Sequence, residues 1–279
     1  MTLIDKMLAS DRVFDFLRPI QFRGKIHLVN RFAPAAGEHR AQVFSLRMKL
    51  DLGEHIQRMI YLGCFERSDT RYVRRFLRPG MTMVDVGANV GYFTALAASV
   101  VGESGCAIAV EPSTRAFEHL QYLVTRNRLP QVRIFHGGLS DKKGCAPLYC
   151  GDQRNFTPTM VAHGGLDPLE FVAVRTLDDL AAELAIDRID LLKIDVEGHE
   201  PAVLRGATEL LARRAIGAVL CEFNDYWLRA AGCSSQALWR LLLDHGFRDF
   251  RNNRTVPDDG VETRLLVLDQ ESARSLQLR

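Results

Sequence analysis

From Phe44 the chain sets apolar residues on alternate positions, Phe44, Leu46, Met48, Leu50 and Leu52, with Ser45, Arg47, Lys49 and Asp51 between them. A period of two places the apolar side chains on one face of an extended chain, so this stretch reads as a half-buried strand. Ile56, Met59 and Ile60 change the spacing to that of a short helix ending at Gly63, and Ser68 is positioned to cap a second helix that stops before Pro79 and Gly80. Beyond Gly80 the pattern repeats: an apolar run, a turn of small or acidic residues, then a helical run. Strands at 83–86 and 107–110 alternate with helices at 92–101 and 114–127, and a third strand follows at 132–135. Residues 148–149 and 171–174 read as extended, and Thr176 caps a helix with Asp179 as the acid of a capping box. A fourth strand covers 190–194, and Pro201 suits the first position of the helix after it. A fifth strand at 218–222, a helix at 235–244 and strands at 247–250 and 265–268 follow. Parallel strands need crossovers, and the intervening helices supply them. The expectation is an α/β fold, a mostly parallel seven-stranded sheet with helices on both faces. The change of pattern at Gly80 divides the chain into a small N-terminal accessory region, 1–80, and a main domain, 81–279.

Composition narrows the classes. Over 279 residues a 47% hydrophobic content supports one large core with an appendage. A formal charge of +2 leaves no concentrated basic field, and Arg71, Arg74, Arg75 and Arg78 read as a solvated helix face, so nucleic acid is not an expected partner. Six scattered cysteines without a C-x-x-C pair fit a reduced, cytoplasmic protein. Near the N-terminus, Asp5 and Lys6 interrupt Leu3, Ile4, Met7 and Leu8, which suits an amphipathic helix rather than a signal peptide or a membrane insertion.

The most informative segment is Val84-Asp85-Val86-Gly87-Ala88-Asn89-Val90-Gly91, where a buried strand runs into a helix through two glycines. Doubly wound folds bind nucleotide-like ligands in the crevice at such a strand end. Asn89 stands where a dinucleotide fingerprint needs its middle glycine, and Asp85 would repel a pyrophosphate. Both suit S-adenosylmethionine, which has no phosphate and carries a sulfonium and an ammonium. A nicotinamide-dependent oxidoreductase is the alternative enzyme on this fold, and a non-catalytic binding protein the third reading. The next strand ends at Glu111, about twenty residues on, where a carboxylate can accept both ribose hydroxyl protons. After the third strand, Ser140 or Asp141 can reach the adenine edge.

The runs Asp85-Val86-Gly87-Ala88-Asn89-Val90-Gly91, Glu111-Pro112, Gly138-Leu139-Ser140-Asp141, Arg175-Thr176-Leu177-Asp178-Asp179-Leu180 and Lys193-Ile194-Asp195-Val196-Glu197-Gly198-His199-Glu200 together resemble the FkbM family of methyltransferases. Tyr61-Leu62-Gly63-Cys64-Phe65-Glu66 extends the similarity upstream, and it covers roughly residues 51–250. The resemblance implies a Rossmann-like class I methyltransferase fold and O-methylation, commonly of sugars, polyketides or other secondary metabolites. It leaves the substrate open.

Methyl transfer to a hydroxyl is an in-line displacement that needs the oxygen held about 3 Å from the methyl carbon and a base or metal beside it. The fourth and fifth strand ends supply candidates. Asp195 is placed for the cofactor, Glu197 and His199 for the acceptor, with His199 the natural base by its pKa. Glu222 has two readings. In one it binds Mg²⁺ with Asp195 and Asn224; in the other it orients or deprotonates the acceptor without metal. The fourth strand end lacks the Pro-Pro-aromatic turn common among enzymes that methylate exocyclic base amines, which disfavours nucleobase N-methylation. The expected partner is a small-molecule hydroxyl acceptor. The accessory region is expected to cover the cofactor or shape the acceptor pocket, with a homodimer interface as another use.

Overall fold

A computed structural model describes residues 18–20, 25–151, 156–162, 164–251, 255 and 260–269. The amphipathic helix expected at the N-terminus lies outside them. The accessory region opens with α1 (Lys25–Phe32) and an antiparallel hairpin of β1 (Glu38–Val43) and β2 (Leu46–Asp51). The expected strand at 44–52 is therefore the second arm of a hairpin whose first arm, EHRAQV, carries too little apolar alternation to be read. Phe44 and Ser45 form its two-residue turn with φ of 52° and 67°. Turns of this kind need positive φ and usually carry Asn-Gly, so the sequence gives no turn signal here. Met48 and Leu50 face inward, while Asn127 exchanges hydrogen bonds with the Arg47 backbone at 2.8 and 2.9 Å. This fastens the hairpin to α5 (Thr114–Asn127).

Next come α2 (His55–Leu62) and α3 (Arg67–Phe76). Gly63, at φ 67°, closes α2 as expected. The expected cap of α3 is corrected: its N-cap is Glu66, at φ 30° and without a side-chain capping bond, and Ser68 lies inside the first turn. That displacement matters for the site, because it turns Glu66 toward the main domain.

The main sheet runs in the order β11-β12-β10-β9-β3-β4-β5. Its strands are β3 (Thr82–Val86), β4 (Cys106–Glu111), β5 (Val132–His136), β9 (Ile189–Ile194), β10 (Ile216–Asn224), β11 (Phe247–Asp249) and β12 (Val261–Leu268). Only β12 runs against the others. The chain enters at β3, steps outward through β4 to β5, and returns to β9 on the other side of β3. Strand order reverses there, and the reversal leaves a crevice at the carboxyl ends of β3 and β9.

Both faces are covered, which is why these strands are almost continuously apolar. Val84, Val86, Ile108, Leu192, Ile194 and Val219 pack under α6 (Leu177–Glu183), α7 (Glu200–Arg205), α8 (Thr208–Ala212) and α10 (Ser235–Asp244). Met83, Ala107, Leu191, Leu220 and Val267 pack under α3 and α4 (Tyr92–Val101). A third cluster joins Met48, Leu50, Ile60 and Tyr61 of the accessory region to Ala88, Val90, Leu120 and Leu123, so apolar packing continues across Gly80.

Besides α1, β1 and α8, two features near the site differ from the sequence expectation. Helix α9 (Asp225–Ala230) follows β10 directly. The extended residues between β5 and α6 make a separate sheet, β6 (Gly138–Leu139), β8 (Glu170–Arg175) and β7 (Gly144–Leu148), in the order β6-β8-β7. No helix among the described residues is long and apolar enough to cross a membrane.

Candidate active site

A cleft of about 930 Å³, counting its open mouth, lies over the carboxyl ends of β3, β4, β9 and β10. Its floor begins at Gly87, where φ is 80° and a Cβ would sit 1.9 Å from the Asp195 carbonyl oxygen. Any side chain here would clash, so only glycine lets the turn after β3 lie against the end of β9. The Gly87 and Ala88 amides both donate to the Val110 carbonyl at 3.0 Å, which bends the turn over the end of β4. Asn89, at φ 49°, then directs its amide to Glu111 Oε2 at 2.7 Å, and the Ser113 amide donates to Oε1 at 2.8 Å. Both oxygens of Glu111 are thus aimed by backbone. Burial pushes its carboxyl up to about 7 against the pull of these two N–H groups.

On the opposite side, Asp195, Glu197 and Glu222 line the cleft together with Lys193. Lys193 lies within β9, 3% exposed, with its ammonium 2.7 Å from Asp195 Oδ2 and 4.8 Å from the centre of the Phe93 ring. Burial opposes its charge, but Asp195, Glu66 and Asp85 outweigh burial and hold its pKa above the ordinary lysine range. Glu197, at φ 50°, is pushed up to about 8 by burial and then by Asp195 and Glu200. Glu222 is raised well above its ordinary value, by burial first and then by Asp195, Glu197 and Glu200. Glu66 closes this side from the accessory region; burial raises it to about 8 even though Lys193 pulls the other way.

The roof comes from the segment after β7. Thr157, Pro158 and Met160 face the cleft, as do Ile56, Ile60 and Phe65 from the accessory region. The Phe156 amide donates to Glu54 Oε1 at 3.2 Å, and Thr159 Oγ1 donates to the Glu197 carbonyl at 2.8 Å.

Of the residues singled out in the sequence, Gly87, Ala88, Asn89, Glu111, Asp195, Glu197 and Glu222 meet in this cleft. Asp85, Gly91, Ser140, Asp141 and His199 do not line it. Asp85 is 2% exposed beneath the floor, accepting from Thr94 Oγ1 at 2.7 Å, and burial raises its pKa. Gly91 serves packing: a Cβ there would meet Leu120 and Leu123 of α5 at 2.7 and 2.8 Å. Ser140 is drawn off because β6 pairs with β8 in the small sheet instead of continuing β5. Its hydroxyl donates to Asp141 at 3.2 Å and lies 3.1 Å from His199 Nε2, so these three side chains satisfy one another away from the cleft. Burial lowers the His199 pKa.

Of the alternative metal set, Asp195 and Glu222 line the cleft and Asn224 does not. Asp195 is committed to Lys193, Asn224 Nδ2 donates toward Glu197 Oε2 at 3.4 Å, and no group of three or more His, Cys, Asp or Glu side chains among the described residues is placed to hold a metal ion. Lys193 went unremarked as a site residue in the sequence. Its signal was a lone lysine inside an apolar strand covered on both faces, where a charge must find a partner.

Comparison with known proteins finds several relatives. The curated relatives include the 31-O-demethyl-FK506 methyltransferase FkbM of Streptomyces tacrolimicus, 30% identical over 61% of this chain and 74% of the relative. AMB antimetabolite synthetase AmbE of Pseudomonas aeruginosa is 29% identical over 61% of this chain, which spans only 10% of that protein. Among solved structures, methyltransferase FkbM from Methylobacillus flagellatus KT matches with a TM-score of 0.44 and 18% identity, over 76% of this chain and 52% of that one. The profile described as Methyltransferase FkbM domain matches residues 85–248, more than half of the sequence, and the chain therefore belongs to the FkbM methyltransferase family.

Proposed function

We propose that this protein is an S-adenosylmethionine-dependent O-methyltransferase acting on a small or medium-sized hydroxyl compound such as a sugar or polyketide. Glu111 carries the reading: a buried carboxylate at the end of β4, with each oxygen oriented by a backbone amide, facing a cleft over the glycine turn. Such a group suits two adjacent ribose hydroxyls. Gly87, Ala88, Asn89 and Glu111 would hold the nucleoside, and Asp195, with Oδ2 on Lys193, would turn its other oxygen to the cationic end. When bound, S-adenosylmethionine supplies an electrophilic methyl carbon and leaves as a neutral thioether. The chain's own task is to fix the acceptor oxygen and remove its proton. Glu197 and Glu222 stand beside Asp195 for this, and their raised pKa values make them stronger bases than an ordinary carboxylate once ionised. The roof and the accessory helices exclude water. The name of the Streptomyces relative, which specifies an oxygen of FK506, supports an oxygen acceptor here.

Calorimetric titration of S-adenosylmethionine, S-adenosylhomocysteine and NADH tests the first half. Binding of the two adenosyl compounds with no binding of NADH is expected; the reverse sinks the proposal. Release of S-adenosylhomocysteine across a panel of hydroxyl compounds tests the second half, and turnover only with amines or nucleobases would remove the O-methyl assignment.

A further inference from the structure

The carboxyl groups facing the cleft outnumber its cations. Glu66, Glu111, Asp195, Glu197 and Glu222 line it, and Lys193 is the one lysine or arginine among the described lining residues. Lys193 pairs directly with Asp195 at 2.7 Å and reaches Glu66 only at longer range, and Glu111 holds one backbone amide on each oxygen. Three carboxyl groups remain, each from a different element: Glu66 at the start of α3, Glu197 in the turn after β9, and Glu222 on β10. Glu66 Oε2 and Glu222 Oε2 are closed off from solvent and have no hydrogen-bond partner among the described residues. Glu197 receives one long bond, from Asn224. Enclosing such oxygens without partners is costly, and a ligand that supplies donors recovers the cost.

S-adenosylmethionine has a sulfonium, an ammonium and a carboxylate, so its net charge of about one answers at most one of the three. The wall beside Glu66 is aromatic. Phe65 and Tyr92 meet edge to face with ring centres 5.1 Å apart, and Phe93 lies 5.2 Å from Tyr92. Carboxylates against aromatic rings favour an ammonium ion over a neutral hydroxyl or an anion.

Resting on the methyltransferase reading above, we infer that the acceptor is an amino alcohol: it carries a protonated amine, held by Glu66 against this aromatic wall, close to the hydroxyl presented to Glu197 and Glu222. The cleft offers phosphorylated and carboxylated acceptors no cation beyond Lys193, which Asp195 already holds. Glu66 here is a binding and specificity residue and takes no part in the transfer itself.

Glucosamine, glucose and glucuronate present similar rings and hydroxyls and differ as cation, neutral molecule and anion. Each is titrated calorimetrically into protein saturated with S-adenosylhomocysteine, in the wild type and in Glu66→Gln. Glucosamine is expected to bind at least about tenfold more tightly than glucose, with glucuronate weakest. Glu66→Gln should bring glucosamine to within about threefold of glucose while leaving S-adenosylhomocysteine affinity unchanged. Should Glu66→Gln misfold, the wild-type ranking and the same titrations on Glu66→Asp, which keeps the charge and shortens the reach, decide the matter. Intact S-adenosylhomocysteine binding with no preference for glucosamine, or with no detectable glucosamine binding, overturns the amino-alcohol inference alone. Failure of S-adenosylhomocysteine to bind overturns the methyltransferase reading beneath it.

Discussion

Glu111 is held by two backbone amides that a glutamine cannot fully copy, because one end of the amide would present N–H to N–H. Glu111→Gln should therefore lower S-adenosylmethionine affinity by about tenfold or more, read by calorimetry; unchanged affinity would remove the ribose role. Glu197→Gln should instead lower kcat by about a hundredfold with S-adenosylhomocysteine affinity kept, since it removes a base and not a nucleoside contact. At this scale the legible residues were those at strand ends. Asn89, Glu111, Asp195, Glu197 and Glu222 follow apolar runs whose period fixes where the sheet stops, so their placement could be read without coordinates. His199 and Ser140 follow strands too, but their turns carry them aside, and a one-dimensional pattern does not record direction. Glu66 stands out in the sequence through the Tyr61–Glu66 motif, but its turn toward the cleft follows from a helix start that the serine two residues later misplaces.

The elements around the cleft meet at the segment between β7 and β8. Tyr149 and Thr159 bridge backbone to backbone, and Thr159 Oγ1 reaches the Glu197 carbonyl. Phe156 is joined by its amide to Glu54, the cap of α2, and by its carbonyl to Asn89, while the Arg115 guanidinium lies 4.8 Å from the centre of its ring. One segment thereby touches the accessory region, the glycine turn and the acceptor side. Thr159→Val keeps the volume and removes the tie to Glu197, so acceptor KM should rise while S-adenosylhomocysteine affinity stays within about twofold. Equal changes in both would mean that the segment serves the whole cleft and not its acceptor half. The parallel βα units could be read because their apolar runs are long and buried on both faces. The β6-β8-β7 sheet could not, because Gly138–Leu139 has two residues and leaves no period to detect.

Across the whole molecule, buried carboxyl groups dominate the response to pH. Burial raises Glu66 and Glu197 to about 8 and Glu111 and Glu200 to about 7, and also raises Asp69, Asp85 and Glu222. The folded chain binds these protons more tightly than the unfolded chain does, so their ionisation costs stability as pH rises from the ordinary carboxyl value of 4.5 through about 8. Asp179, lowered by Lys143, and Asp225, lowered by Arg229, act in the opposite sense and lose their contribution only as the solution becomes acid. The unliganded protein should then have its highest Tm on the acid side of neutrality, and a Tm that climbs steadily to pH 8 would contradict the burial of these groups. A cation entering the cleft lowers the same pKa values, so binding near neutral pH must release protons. S-adenosylmethionine and S-adenosylhomocysteine differ by one methyl group and one positive charge. Titrating both in two buffers of unlike ionisation enthalpy isolates the effect of that charge, and the larger proton release is expected for S-adenosylmethionine. Equal release would mean that the sulfonium lies away from Glu197 and Glu222, and the acceptor would then have to approach the methyl group from a different wall of the cleft.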